Sequence, residues 1–315
     1  MKYVALAGGV GGAKLADGLY RSLQPKDLTV IVNTGDDFEH LGLYISPDLD
    51  TVCYTLADLA NPDVGWGRSG ETWRAMENIA RLGGPEWFKL GDADLGTHLE
   101  RTRRIKGGIS LSSITRSFCQ SWGISVPVIP MTDDIVRTHV ITNELGDLSF
   151  QEYFVKHQCR PRVISFRFDG IETAKPAPGV FEAIHEADWI IFCPSNPWVS
   201  IGPILTVPGI RESISGKKAI AVTPIIGGKA IKGPAAKMYS ELNIKPSAAA
   251  VANHYKDLLT CFVIDNVDAS EANQINDWGI ISLTTNTLMF KVSDRVRLAG
   301  EILAFCEQQR REKRK

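Results

Sequence analysis

Asp36, Asp37, Glu39, Asp48 and Asp50 all fall in one stretch, Asn33–Asp50, directly after the apolar run Leu28–Val32. The run reads as a buried strand and a helical pattern resumes at Leu49, so the stretch reads as a long loop at a strand's carboxyl end. With Phe38, Leu41, Leu43, Tyr44 and Ile45 it is too apolar to be disordered, and loops of that length inside a compact domain usually carry function. Aspartates gathered there suit a hard cation such as Mg2+, which takes one or two carboxylates together with substrate phosphates. The plainer alternative is that Asp36 and Asp37 only shape the turn after Gly35 and that Asp48 caps the next helix.

A second chemical stretch lies upstream. Gly8-Gly9-Val10-Gly11-Gly12-Ala13-Lys14-Leu15 follows the apolar run Tyr3–Ala7 and opens a helix to about Leu23. A glycine-rich turn between strand and helix lets backbone N–H groups approach a phosphate at the positive end of the helix. It is not a Walker A loop, because no Gly-Lys-Ser/Thr follows, and its glycine spacing does not fit Gly-x-Gly-x-x-Gly. Downstream, Pro194-Ser195-Asn196-Pro197 offers donors and acceptors for a nucleobase or ribose, although asparagine before proline is also a common turn former. In Ile225–Pro234, Lys232 stands just before a helix with Pro234 in its first turn, so a cation and free N–H groups converge as in an anion site.

The elements that must position these residues follow an α/β rhythm. Strands are expected at Tyr3–Ala7, Leu28–Val32, Val136–Thr142, Val163–Phe168, Trp189–Cys193, Ala219–Pro224 and Phe262–Asn266, and the segment Val126–Asp134 reads as a strand running into a turn. Helices are expected at Leu49–Ala60, Gly179–Ala187, Val207–Ser215, Pro234–Leu242, Ser247–Leu259, Ala269–Trp278 and Ser293–Gln309. This alternation implies a doubly wound, mostly parallel, Rossmann-like sheet in a single α/β domain over 1–315, with ligands at the carboxyl ends of the strands. Between about 61 and 125 no strand is evident, and helices at Glu71–Leu82, Asp94–Arg104 and Ser110–Trp122 suggest a helical insertion hanging over those ends. Its Trp66, Trp73, Trp87 and Trp122 could be its own core or a wall for a flat ring. Arg101, Arg103, Arg104 and Lys106 could be a solvated face or could hold a phosphate or carboxylate.

Composition narrows the function classes. The 315 residues are 44% hydrophobic and 23% charged with a net charge of -1, giving no sign of a nucleic-acid or membrane partner. The amino-terminal apolar run is too short for a secretory h-region or a spanning helix, so it reads as the first strand of a cytoplasmic protein. Six dispersed cysteines without a Cys-x-x-Cys pair read as buried thiols, and the tail Arg310–Lys315 as frayed and solvated. An apolar patch could pair two copies into a homodimer.

Taken together, two anion sites, a carboxylate-bound metal and an aromatic cap suit phosphoryl or phosphodiester transfer from a nucleotide diphosphate. The blocks Gly8–Leu15, Asn33-Thr34-Gly35-Asp36-Asp37, Pro47-Asp48-Leu49-Asp50, Pro194–Pro197 and Lys232-Gly233-Pro234-Ala235 resemble, in combination, the 2-phospho-L-lactate transferase family of coenzyme F(420) biosynthesis. The resemblance implies Mg2+-dependent transfer of a phospholactyl-type group from a guanosine diphosphate ester to the deazaflavin Fo, with release of GMP. It implies Fo contacts at Asp50 and Lys89, and makes Asp36, Asp37, Asp48 and Asp50 the candidate metal ligands. Asp36, Asp37 and Asp50 are the catalytic candidates. Gly9, Gly11, Gly12, Lys232 and Gly233 would hold the diphosphate, and Ser195 and Asn196 would lie near the guanosine. A nucleotidyltransferase also begins with a Gly-Gly-x-Gly loop, but an arginine would be expected where Lys14-Leu15 stands. A non-catalytic nucleotide-binding regulator would have no use for so many crowded aspartates.

Overall fold

The computed structural model describes residues 1–312; the last three residues of the basic tail lie outside the described residues. Seven strands form one sheet: β1 (Tyr3–Ala7), β2 (Leu28–Val32), β3 (Val128–Pro130), β4 (Trp189–Phe192), β5 (Ala219–Val222), β6 (Cys261–Asp265) and β7 (Ile281–Thr285). They lie in the order β7-β6-β5-β4-β1-β2-β3, and every adjacent pair is parallel. The central strands are continuous apolar runs because both faces are covered. Along β1, Val4 and Leu6 point into one core with Ile31 and Ile190. Tyr3, Ala5 and Ala7 point into the other, with Val30, Val32 and Ile191. That alternation is what forces helices onto both sides.

The second core is closed by α1 (Gly9–Ser22), α2 (Pro47–Leu56), α5 (Leu111–Ser121) and the final helix, Val292–Glu312. Within it the Asp17 carboxylate of α1 is fully buried. Arg21 donates to one of its oxygens at 2.8 Å and Arg295 of the final helix to the other at 3.0 Å. Met76 of helix α3 (Arg74–Arg81) packs with Ile45 and Leu90 in a small separate cluster, and Asp94 and His98 of α4 (Asp92–Lys106) line a cavity above the strands. α5 does not join them, because Leu111 and Cys119 pack with Val128 under the sheet.

Several expectations differ from the structure. Asn33–Asp50 is not loop throughout: Phe38–His40 and Leu43–Ile45 form a hairpin, and α2 starts at Pro47 rather than Leu49. Arg137–Thr142 and Val163–Asp169 are strands, but they pair antiparallel in a separate three-stranded sheet with Gly146–Ser149. Val207–Ser215 is not one helix; Gly202–Thr206 and Ile210–Ile214 flank a break at Pro208-Gly209. The edge strand β7 is an element the periodicity did not reveal. Among the described residues no cysteine forms a disulfide and five of the six are buried, and no helix is long and apolar enough to cross a membrane.

Candidate active site

β1 pairs with β2 on one side and β4 on the other, so the strand order reverses there and a crevice opens above their carboxyl ends. A cavity of about 790 Å3 occupies it. α1 starts at Gly9, within the glycine loop, so its first-turn N–H groups, which lack intrahelical partners, face the crevice. Gly9 adopts φ +60°, and a Cβ on Gly11 would stand 2.3 Å from the Pro194 carbonyl oxygen. The helix can therefore start this close to the β4 loop only with glycine there. Ser195 fastens the two loops: its hydroxyl donates to the Gly8 carbonyl at 2.7 Å and accepts from the Gly8 N–H at 3.1 Å.

The aspartates sort into three settings. Asp48 and Asp50 share the first turn of α2, but two residues apart on a helix they point to opposite sides. Asp48 accepts the Gly9 N–H at 2.6 Å and the Asn33 amide at 2.9 Å. The same Asn33 nitrogen reaches Asp36 at 3.2 Å, and Gln151 donates to the other Asp36 oxygen at 3.2 Å. Burial lifts Asp48 to about 6 against these bonds. Burial also raises Asp36 well above the carboxylate range, with the Asp48 and Asp37 charges adding to it. Two buried carboxylates held together only by amide and backbone donors are the oxygen set a hard divalent cation takes.

Asp37 is different. It does not line the cavity; one oxygen accepts the Ser46 hydroxyl at 2.9 Å, the other has no partner, and burial pushes it up to about 7. Asp50 is different again. Arg101 grips both its oxygens, Nη1 to Oδ2 at 3.0 Å and Nη2 to Oδ1. Burial pulls the Arg101 pKa down, but the Asp50 charge and bonds outweigh it and the net shift is upward. Of the two readings left open for the basic run, Arg101 holds a carboxylate as an internal counter-ion, while Arg103 and Arg104 both bond Glu100. Asp94 accepts the Tyr54 hydroxyl at 2.7 Å, and its carboxylate, the Asp50 carboxylate and the His98 ring each offer one ligand atom within 4.8 Å of the others. That triad could take a metal, though Asp50 is already neutralised.

The remaining candidates divide as sharply. Gly9, Gly11, Ser195, Asn196, Lys232, Gly233 and Lys89 line the cavity, whereas Gly12 does not. Asn196 caps its own turn, accepting the Trp198 N–H at 2.9 Å, and its amide nitrogen reaches the Met238 sulfur at 3.2 Å, so both ends of its side chain are engaged. Lys232 donates to the Val64 carbonyl at 2.7 Å and Lys14 to the Met289 carbonyl at 2.7 Å. Burial lowers the Lys14 pKa, and the Lys232 and Arg295 charges lower it further. Two cations this close to a helix N-terminus are an arrangement that suits an anion. Of the four tryptophans, Trp66 alone lines the cavity; Trp87 packs on His40 and Phe88, and Trp122 on Tyr54 and Phe118. The flat apolar walls include Phe88, Phe150 and Phe154. Gln151, the Asp36 partner, carries no sequence signal beyond its place beside Phe150.

The model of the family described as 2-phospho-L-lactate transferase CofD matches residues 3–279. A phosphoenolpyruvate transferase of Streptomyces coelicolor is 44% identical over 317 residues, covering 98% of this chain and 99% of its own. A 2-phospho-L-lactate transferase of Methanocaldococcus jannaschii is 40% identical over 304 residues, covering 96% and 97%. A crystal structure of a UPF0052 family member from Bacillus halodurans superposes with a TM-score of 0.63 over 96% of this chain and 98% of that one; at 16% identity it speaks to the fold. The crevice at the switch point, the family match and the full-length relatives converge: the chain belongs to the 2-phospho-L-lactate transferase CofD family and is a transferase of coenzyme F(420) biosynthesis.

Proposed function

We propose that the chain transfers a phospholactyl-type group, carrying lactate, enolpyruvate or glycerate, from a guanosine diphosphate ester to the ribityl hydroxyl of the deazaflavin Fo, releasing GMP. One observation carries this reading: a single cavity is lined both by the anion-binding candidates Gly9, Gly11, Lys14 and Lys232 and by the rings of Phe88, Phe150 and Phe154, with Asp36 and Asp48 among its lining. The glycine-loop N–H groups and the two lysines would hold the diphosphate. The aromatic walls, Asp50 and Lys89 would orient the deazaflavin. Asp36 and Asp48 would hold Mg2+, which when bound supplies charge neutralisation to the diphosphate; Asn33 and Gln151 fix their oxygens.

In the reaction the Fo hydroxyl oxygen bonds to the phosphorus bearing the small acid, and the bond from that phosphorus to the bridging oxygen breaks. GMP leaves with the electron pair, and the hydroxyl proton passes to a carboxylate of the acidic group. The product is a phosphodiester. With a loose transition state, positioning and electrostatics do most of the work. The test is mass spectrometry of products from purified protein, Mg2+, Fo and the three guanosine diphosphate esters together, with EDTA and Asp48→Asn controls. One phosphodiester and GMP, absent from both controls, are expected and would name the acid. Tight binding of Fo and nucleotide without product would turn the reading toward a binding protein.

A further inference from the structure

The cavity has two ends, and only one has a clear occupant. On the β2 side of the switch point its wall includes Asp50, Phe88 and Lys89; beyond the glycine loop it includes Pro224 and an arch, Thr287–Phe290, that follows β7. The arch is held from several sides. Asp265, at the carboxyl end of β6, accepts the Thr287 N–H at 2.8 Å and its hydroxyl at 2.9 Å. Lys14 donates to the Met289 carbonyl at 2.7 Å. Asp294 accepts the N–H groups of Phe290 and Lys291 at 3.0 and 2.8 Å. These bonds fix a backbone that presents the Phe290 ring at 71% exposure. Apolar surface left exposed on the wall of a cavity, on a backbone held this firmly, is surface that a ligand can cover.

We propose that Phe290 is the stacking platform for the purine base of the donor nucleotide. The inference rests on the functional reading above. The same Lys14 that ties the arch belongs to the helix whose N-terminus faces the diphosphate, so the arch borders the phosphate site directly. With the deazaflavin at the β2 end, a nucleoside attached to that diphosphate has the arch end left to it. Stacking on an aromatic face provides affinity for any base, so Phe290 sets how tightly the donor binds.

The experiment is calorimetric titration of GMP, with steady-state kinetics, on the full chain and on Phe290→Ala and Phe290→Trp. Phe290→Ala should weaken GMP binding and raise the donor KM about tenfold, leaving kcat and the Fo KM within about twofold and Tm unchanged. Phe290→Trp should restore affinity. Unchanged GMP affinity and donor KM in Phe290→Ala, with the unsubstituted protein turning over, would overturn the proposal and leave the functional reading intact. If the unsubstituted protein binds no GMP, the functional reading falls and this proposal falls with it.

Discussion

Replacing Arg101 with methionine tests whether the Asp50 charge is held from inside the protein. Both partners are nearly sealed, Arg101 at 3% and Asp50 at 6% exposure, and Nη1 lies 3.0 Å from Oδ2. At that separation the attraction is about 5.5 kcal/mol for an effective dielectric of about 20. The desolvation of both ions offsets much of it, so the intact pair adds little net stability. Breaking it is another matter. Methionine keeps a long apolar side chain near the Phe118 ring, over which the guanidinium sits at 5.9 Å, but leaves Asp50 uncompensated close to Asp94. Such a buried orphan costs about 3–5 kcal/mol, on the order of 10 °C in Tm for a chain of this size. Calorimetry of Arg101→Met, Asp50→Asn and the double variant closes a double-mutant cycle. The double variant should lose less than the sum of the singles, by at least about 2 kcal/mol. Additive losses, or a single loss below about 1 kcal/mol, would refute the reasoning.

Mg2+ should raise Tm in the unsubstituted protein, and Asp48→Asn should abolish that rise and cut turnover by at least about 100-fold, since one of the two carboxylate charges facing the cation is gone; an equal Mg2+-dependent rise in both proteins would sink the assignment. Gly11→Ala, whose Cβ would meet the Pro194 carbonyl at 2.3 Å, should cost about 1–3 kcal/mol by overpacking. Gly300→Ala in the final helix, with nothing within 4 Å, should instead be neutral or stabilise by up to about 1 kcal/mol; urea melts that fail to separate the two would refute the close-approach argument. His254, edge-on to Trp198 at 4.4 Å, is held at about 4 by burial, with Arg211 lowering it further. Below about 6.5 the unfolded chain takes up a proton that the native imidazole refuses, so its contribution is full above pH 6.5 and lost as pH falls to 4. His254→Gln should remove about 3 kcal/mol of acid sensitivity over that window; parallel pH profiles for the two proteins would count against it.

The parallel sheet was legible because its central strands are buried on both faces and therefore read as uninterrupted apolar runs. β7 escaped because it is an edge strand: Ile281-Ser-Leu-Thr-Thr is only half-buried, so its apolar content is diluted. The hairpin in the acidic stretch escaped for a different reason. Its turn uses Leu41 at φ 54° before Gly42, whereas the usual turn signal at such a position is Asn or Asp. The glycine loop and the Asp36–Asp48 stretch stood out because each is grouped locally in the sequence, and the structure brings both to one cavity. The Asp50–Arg101 pair spans 51 residues, and no local pattern announces it. Ser195 was visible as a polar residue in a loop, but its commitment to Gly8 depends on β4 lying beside β1.

The bonds between Asp17 and Arg295 also set a timetable. The two residues are 278 positions apart, so at about 5–20 residues per second a ribosome makes Arg295 on the order of 15–60 s after Asp17. During that interval the carboxylate has only Arg21, on its own helix, as a partner. β1 likewise waits for β4 before both its edges are paired. The glycine loop leaves the ribosome well before Arg295, yet the helix that aims it is secured from both sides only once that residue has been made.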